Sequence, residues 1–395
     1  MIQTCRHLNC IVPPHLLRKL LESKDREISE AALNTLLSSA QMRGAREVLS
    51  IAGFLAVPGH GRRTIYDCNH GRDVANSPTA RSEDGKPASD NSVNQAFDGL
   101  GKTRDFYQNV FARDSLDGRG MRLDAFVHFS NKYNNAFWDG QRMMFGDGDG
   151  LMFTDLTKSL DVIAHELTHG VTNFTAGLEY HLESGALNES ISDVMGSLVK
   201  QNFLNQTADQ ADWLIGAEIW TPGIEADALR SLKAPGTAYD NALFGKDPQP
   251  DHMDKWVHLP DTELGDNGGV HYNSGIPNKA FFLTAKAIGG RAWESPGHIW
   301  YESLLASNQS TDFQGFADTT FAKAGQLYGT GSTQQKAVAE AWREVGIRIV
   351  SARAGLAEGA MVTTSDEILA TLTKQITALV AEIKALQLEV KALKK

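Results

Sequence analysis

Apolar residues recur at helical spacing in three separate parts of the chain, and between the first two the pattern changes to short β-like runs. In "VPPHLLRKLLES", Pro13 and Pro14 precede Leu16, Leu17 and Leu20, and "REISEAALNTLLSSAQMRG" continues with strong helix formers. One or two short helices are predicted over residues 12–50. From about residue 51, Gly, Pro, Asn and Asp punctuate β-branched and aromatic runs such as "RRTIYDC" and "LDAFVHFS", which is strand-and-turn composition. After "FGDGDG" the spacing turns helical near Leu160 and stays mostly helical to about Val350, interrupted by a Gly/Asp/Pro-rich stretch from Pro235 to Gly275. The expected class is α+β, with a β-rich part over 51–159 followed by a helical part over 160–350.

The third helical stretch is a different object. Residues 351–364, "SARAGLAEGAMVTT", read as a linker of small residues, and 365–395 follow it as a tail. Leu369, Leu372, Ile376, Leu379, Ile383, Leu386, Val390 and Leu393 recur at alternating steps of three and four. With Leu369 at a, every d is Leu, the preference of parallel dimers. Val380 at e widens the stripe, so a trimer or larger bundle fits as well. The tail predicts a homo-oligomer through a coiled coil; an amphipathic helix lying on the protein's own surface is the alternative.

The chain has 395 residues, 42% of them hydrophobic and 22% charged, which is ordinary for a soluble protein of two or three domains. A formal net charge of -10, without a long Lys/Arg block, gives nucleic acid and anionic membranes no purchase. The three cysteines, Cys5, Cys10 and Cys68, are too few and too clustered for a disulfide framework. "MIQTCRHLNCIVPP" lacks the basic start and apolar run of a standard export signal. The expected location is therefore cytoplasmic, or outside the cell by a route without such a signal.

Chemistry enters with "DVIAHELTHGVTNF", residues 161–174. His165 and His169, four apart on a helix, present two imidazoles to one point, about 6 Å apart at Cβ, the bite of two zinc ligands. Glu166 projects beside them, suited to hold a water and accept its proton. HExxH alone also fits polar residues on an exposed helix face, so a third ligand is needed. "ESGALNESISDVMGS" supplies Glu189, with Asp193 four residues on along the same face. Glu189 closes a His/His/Glu set with an open fourth position, the catalytic form of zinc coordination. Asp193 and Asn188 suit the outer imidazole N–H groups.

At these residues the chain resembles the thermolysin-like zinc metallopeptidases. The resemblance spans about residues 60–350 and rests on "YNNAFWDGQRMMFGDGDG", "DVIAHELTHGVTNFTAGLEY", "ESGALNESISDVMGSL", "TPGIEADALR" and "DNGGVHYNSGIPNKAFF". It implies a β-rich lobe and a helical lobe with the HELTH helix between them. It also implies one zinc ion on His165, His169 and Glu189, and Glu166 as general base and proton shuttle. His271 and Tyr180 would donate to the oxyanion, with Asp266 orienting His271. Asn135 and Ala136 would hold an extended protein or peptide substrate, and Arg230 would contact a substrate carbonyl. Phe153, Leu156, Val162 and Leu229 would form the leaving-group pocket, so cleavage is expected before bulky hydrophobic residues.

The chain departs from that family where a calcium pair is expected. Asp161 and Asp212 match the cluster, but Lys200, Leu214 and Ala217 stand where acidic ligands belong. Two calcium ions, each wanting six to eight oxygens, do not fit, and the Lys200 ammonium is expected to replace them. "TPGIEAD" keeps the pattern of a single calcium loop, through Thr221, the Ile224 carbonyl and Asp227; a turn closed by its own hydrogen bonds is the alternative. "CRHLNCIVPPHLL" resembles the precursor motif of the protealysin-like subgroup, which makes residues 1–50 a short inhibitory propeptide removed by self-cleavage. Cys5 or His7 is a candidate latch on the zinc. Two rivals remain open: an inactive peptide-binding relative, and a scaffold assembled by the tail.

Overall fold

The computed structural model describes residues 9–49 and 62–350, side chains of the second helix being described to Met42. The latch candidates Cys5 and His7, the junction near residue 50, the linker and the heptad tail lie outside the described residues. Everything described belongs to one unit, Met1–Val350.

The N-terminal stretch forms a two-residue strand, β1 (Asn9–Cys10), then α1 (Pro14–Leu21) and α2 (Arg26–Leu49). Pro13 and Pro14 fix the start of α1, since a proline at the first helical position gives up an N–H that has no helical partner anyway. Leu16, Leu17 and Leu20 are buried. α2 buries small and polar residues instead, among them Ala31, Ala32, Thr35, Ser38 and Ser39, while Leu33 and Leu37 are exposed.

The next part supplies β2 (Arg63–Asp67), β3 (Thr79–Ser82), α3 (Asn91–Phe111), β4 (Leu123–Val127), β5 (Ala136–Trp138) and β6 (Arg142–Phe145). They form one mixed sheet in the order β1-β5-β6-β4-β2-β3. β2, β4 and β6 run parallel, and β5 is antiparallel to β6. β1 pairs antiparallel with β5, placing Asn9 opposite Trp138 and Cys10 opposite Phe137, so the N-terminal segment completes the sheet edge. The strand-and-turn composition gives no notice of α3, a helix of 21 residues. Asp90 caps it by accepting from the Val93 N–H.

The helical part contains α4 (Leu160–Asn173) and α5 (Leu182–Leu204), joined through short strands β7 (Leu214–Ile215), β8 (Arg230–Ser231), β9 (Asp240–Asn241) and β10 (Gly245–Lys246) to α6 (Asp266–Asn273). α7 (Gly275–Ile288), α8 (Ser295–Ala306), α9 (Phe313–Tyr328) and α10 (Thr333–Glu344) complete it. α4 is buried from Asp161 to Thr172 and touches both β5 and α5. Its neighbours approach closely through glycine: a Cβ on Gly196 of α5 would lie 2.6 Å from the Asp161 carbonyl oxygen. A helix selected for stability alone would not bury Asp161, His165, Glu166 and His169, because each costs free energy unless fully paired.

Candidate metal centre and substrate cleft

The two histidines of α4 and a carboxylate from α5 meet in the interior. His165 Nε2 and His169 Nε2 are 3.0 Å apart. Glu189 lies 3.5 Å from the first through Oε2 and 3.4 Å from the second through Oε1. All three residues are inaccessible to solvent. Donors about 2.0 Å from one tetrahedral ion lie about 3.3 Å from each other, so these separations fit zinc. Glu189 Oε2 is buried and accepts no hydrogen bond from the described residues, a costly state for a carboxylate that a cation would relieve.

The outer nitrogens are already engaged. His165 Nδ1 is 2.8 Å from Asp193 Oδ1, and His169 Nδ1 is 2.8 Å from Asn188 Oδ1. Each ring thereby keeps its inner nitrogen free for a metal. Asp193 is also gripped by Arg230 of β8 and by the Asn278 amide of α7, 2.9 Å away. Burial lowers the His169 pKa to about 3, helped by His165, which keeps the neutral ring that coordination requires. Burial would raise Glu189, but His271, His169 and His165 outweigh it and hold the carboxyl below its ordinary range.

Glu166 stands next to this trio, its Oε2 accepting from the Trp138 N–H at 3.0 Å. Burial, reinforced by Glu189, pushes its carboxyl well above the usual range. His271 enters from α6 after a run of left-handed residues, Asp266, Asn267, Gly268 and Gly269. That run folds Asp266 back so that Oδ1 sits 2.6 Å from His271 Nδ1 and Oδ2 accepts the His271 N–H at 2.9 Å. Although burial lowers it, Asp266 and Glu189 raise the His271 pKa to about 9. The Tyr180 hydroxyl donates to Glu189 and lies 3.3 Å from His271 Nε2.

The N-terminal segment occupies the space in front of these groups. The Ile11 N–H donates to the Ala136 carbonyl at 3.2 Å. Asn135 accepts the Val12 N–H at 2.9 Å and donates to the Val12 carbonyl at 3.2 Å. His271 Nε2 is 3.1 Å from the Cys10 carbonyl oxygen, and Arg230 Nη1 donates to the Ile11 carbonyl at 3.0 Å. Ile11 is wholly buried and belongs to the continuous apolar core of the unit, which also includes Phe153, Leu156, Val162 and Leu229.

The residues singled out for calcium lie apart from this centre. The Thr221 hydroxyl donates to the Leu151 carbonyl at 2.5 Å, the Ile224 carbonyl accepts the Ala226 N–H at 2.9 Å, and Asp227 is exposed. The turn is closed by these bonds. At the expected calcium pair, Lys200 Nζ lies 2.7 Å from Asp161 Oδ2 and 3.0 Å from Asp212 Oδ1, and donates to the Leu214 carbonyl at 2.8 Å.

Sequence reasoning missed Asn278, Ser192 (3.0 Å from His169 Nδ1) and the Trp138 N–H. Asn278 had a signal, since "NSGIPNKAFF" places an uncommon polar residue in an apolar helix. The Trp138 N–H had none, because any residue would supply it.

Two imidazoles and two carboxylates meeting in the interior, beside a peptide laid along a sheet edge, are the arrangement of a metal-dependent peptide hydrolase. Two family descriptions match: "Thermolysin metallopeptidase, catalytic domain" over residues 57–173, and "Thermolysin metallopeptidase, alpha-helical domain" over 176–347. The chain belongs to the thermolysin metallopeptidase family. It is 43% identical over 347 residues to an extracellular metalloprotease of Pectobacterium carotovorum subsp. carotovorum, covering 87% of this chain and 98% of that one. Protease PrtS of Photorhabdus sp. (strain Az29) is 42% identical over 347 residues, covering 86% and 92%. Among solved structures, the precursor of protealysin, a metalloproteinase from Serratia proteamaculans, superposes with a TM-score of 0.77 at 44% identity, covering 86% of this chain and 99% of that one.

Proposed function

We propose that the chain is the zymogen of a zinc-dependent neutral endopeptidase that cleaves proteins before bulky hydrophobic residues. The observation that carries this reading is the path of Cys10, Ile11 and Val12. They run antiparallel to β5, as a substrate adding a strand to a sheet edge would. Carbonyl and amide groups of consecutive residues meet His271, Arg230 and Asn135. On this reading the Cys10–Ile11 peptide would stand where a scissile bond lies, and the wholly buried Ile11 side chain would take the pocket assigned to the residue after it.

Zinc held by His165, His169 and Glu189 would supply Lewis acidity, polarising a carbonyl and making water acidic enough to lose a proton near pH 7. Glu166 takes that proton and returns it to the leaving nitrogen; its raised pKa suits a carboxyl that must hold a proton transiently. His271, kept protonated by Asp266, donates to the developing oxyanion, and Tyr180 is the second donor. Such donors are worth about 3 kcal/mol each. Asn188 and Asp193 orient the metal-binding rings. Calcium at Thr221, Ile224 and Asp227 has only its sequence pattern in support, so zinc is the single ion this reading requires.

Residues 1–50 would be the inhibitory propeptide, 51–159 and 160–350 the catalytic lobes, 351–364 a linker and 365–395 an oligomerising tail. The polar seam under α2 supports a removable segment. Asn34 donates to the Asn131 carbonyl at 2.6 Å, and Ser39 meets the Tyr133 hydroxyl at 2.7 Å, so release leaves polar groups that water can satisfy. No described helix is long and apolar enough to cross a membrane, and the extracellular Pectobacterium relative supports secretion. The test is an intact-mass time course of the zinc-supplied full chain beside its Glu166→Ala variant. Loss of roughly the first 50 residues in the wild type alone is expected; if both chains stay whole, self-processing is wrong.

A further inference from the structure

A second group of metal-ligating side chains lies outside the catalytic centre, at the carboxyl ends of three neighbouring parallel strands. His70 follows β2, His128 follows β4 and Asp147 follows β6; these strands are adjacent in the sheet and all run the same way. In open sheets the loops leaving parallel strands at this end are where ligands are gathered. His70 Nδ1 is 3.0 Å from Asp147 Oδ2, and His128 Nδ1 is 2.8 Å from Asp147 Oδ1. One donor atom from each of the three lies within 4.8 Å of the other two.

Three features separate this group from a chance surface contact. The far nitrogen of His128 is 3.2 Å from Asp90 Oδ2, the outer carboxylate partner that metal-binding histidines commonly have. Asp90 is itself fixed by capping α3. Both histidines hold left-handed backbone, with φ of 58° at His70 and 53° at His128, uncommon for a residue other than glycine. The His70 N–H is tied to the His128 carbonyl at 2.9 Å. A hydrogen-bonded imidazolium between Asp147 and Asp90 would account for His128 alone. It does not account for His70, whose ring is half exposed yet turns Nδ1 onto the second oxygen of the same carboxylate.

We propose that His70, His128 and Asp147 bind a second divalent transition ion of the zinc class, with its remaining positions taken by water. Two imidazoles and one carboxylate favour such an ion over magnesium or calcium, which prefer oxygen throughout. The ion clamps three loops together at one end of the sheet. It stands beside Arg72 and Ser130, which hydrogen-bond Asn34 of α2, so it also braces the surface on which the N-terminal segment docks.

The test counts metal in the full-length Glu166→Ala chain after equilibration with buffered zinc and desalting. Two ions per chain are expected, and one when His70→Ala is added. His258→Ala, which removes another exposed imidazole, should leave two. Cobalt added to the one-zinc form should give a visible ligand-field band in the parent chain and none in His70→Ala. Two ions retained in His70→Ala, or a single ion in the parent that His70→Ala also keeps, overturns the proposal. A parent that holds a single ion and loses it on His70→Ala would instead defeat the catalytic zinc reading and leave this one standing.

Discussion

Arg230 and Asp193 form an ion pair from which water is excluded, with Arg230 Nε 2.8 Å from Asp193 Oδ2 and Nη2 2.8 Å from Oδ1. Burial would raise the Asp193 carboxyl, but Arg230 and His165 outweigh it and hold the group below its ordinary range. One carboxylate thus joins the arginine that meets the Ile11 carbonyl to a proposed zinc ligand.

Removing the arginine leaves that charge buried alone. Arg230→Met is expected to destabilise the protein by about 3–5 kcal/mol, read from urea unfolding. Asp193→Asn keeps the shape while weakening the partner of His165, and should lower zinc affinity about 10- to 100-fold, read by competition with a chelator. Unchanged affinity in Asp193→Asn would mean that the carboxylate only neutralises Arg230.

Asn135 makes two hydrogen bonds to Val12, each worth about 1 kcal/mol. A substrate on the same path uses them before and during reaction, so they are uniform binding. Asn135→Ala is expected to raise KM by about 30-fold for peptide substrates with kcat little changed, and to speed release of the N-terminal segment. A fall in kcat at constant KM would place Asn135 in the chemistry instead.

The convergence of His165, His169 and Glu189 was legible because α4 and α5 obey local spacing: four residues bring His165 over His169, and another four bring Asp193 over Glu189. Lys200 was legible as a basic residue among positions that wanted acids. α3 was not, because Gly99 and Gly101 depress its helix propensity for a tertiary reason: a Cβ on Gly99 would lie 2.3 Å from Ile163 Cδ1 of α4. β1 was not legible either, since a two-residue strand exists only through its partner. His70, His128 and Asp147 share no spacing motif. Parallel strand ends bring them together, and that order is a property of the sheet.

The heptad tail lies outside the described residues, and its role rests on sequence alone. Deleting residues 351–395 is expected to reduce the assembly to a single chain by light scattering while kcat/KM per chain is unchanged. An unchanged number of chains per particle would favour the surface-helix alternative, and lost activity would favour the scaffold.

Glu83 gives a pH signature away from the active site. It accepts the Arg63 backbone N–H at 2.8 Å and its Nε at 2.9 Å, and these bonds, the side-chain ones foremost, lower its pKa from 4.5 to about 2. The unfolded chain therefore binds this proton more readily, and the stabilisation is complete above about pH 4.5 and lost as pH falls through about 2. Glu83→Gln should lose about 1 kcal/mol at pH 7, allowing for solvent screening, with the gap from wild type closing toward pH 2. A gap that persists there would assign the effect to packing.

Lys200 sets an ammonium between Asp161 and Asp212. Burial lowers its pKa, but Asp161 and Asp212 outweigh that and keep it charged. Asp161 is fully buried and also accepts from the Ser159 hydroxyl at 2.6 Å and the Gly216 N–H at 3.1 Å. Lys200→Met should therefore cost about 3–5 kcal/mol by leaving the aspartate unneutralised. Lys200→Glu should cost more in the absence of divalent ions, because three carboxylates then converge beside the Leu214 carbonyl, and millimolar calcium should restore much of it, calcium being an ion that accepts such an oxygen set. The wild type should melt at one temperature with calcium or with a calcium-selective chelator, since its cation is covalently built in. A wild-type melting temperature that rises with calcium would show that the ammonium does not do the work of the ion.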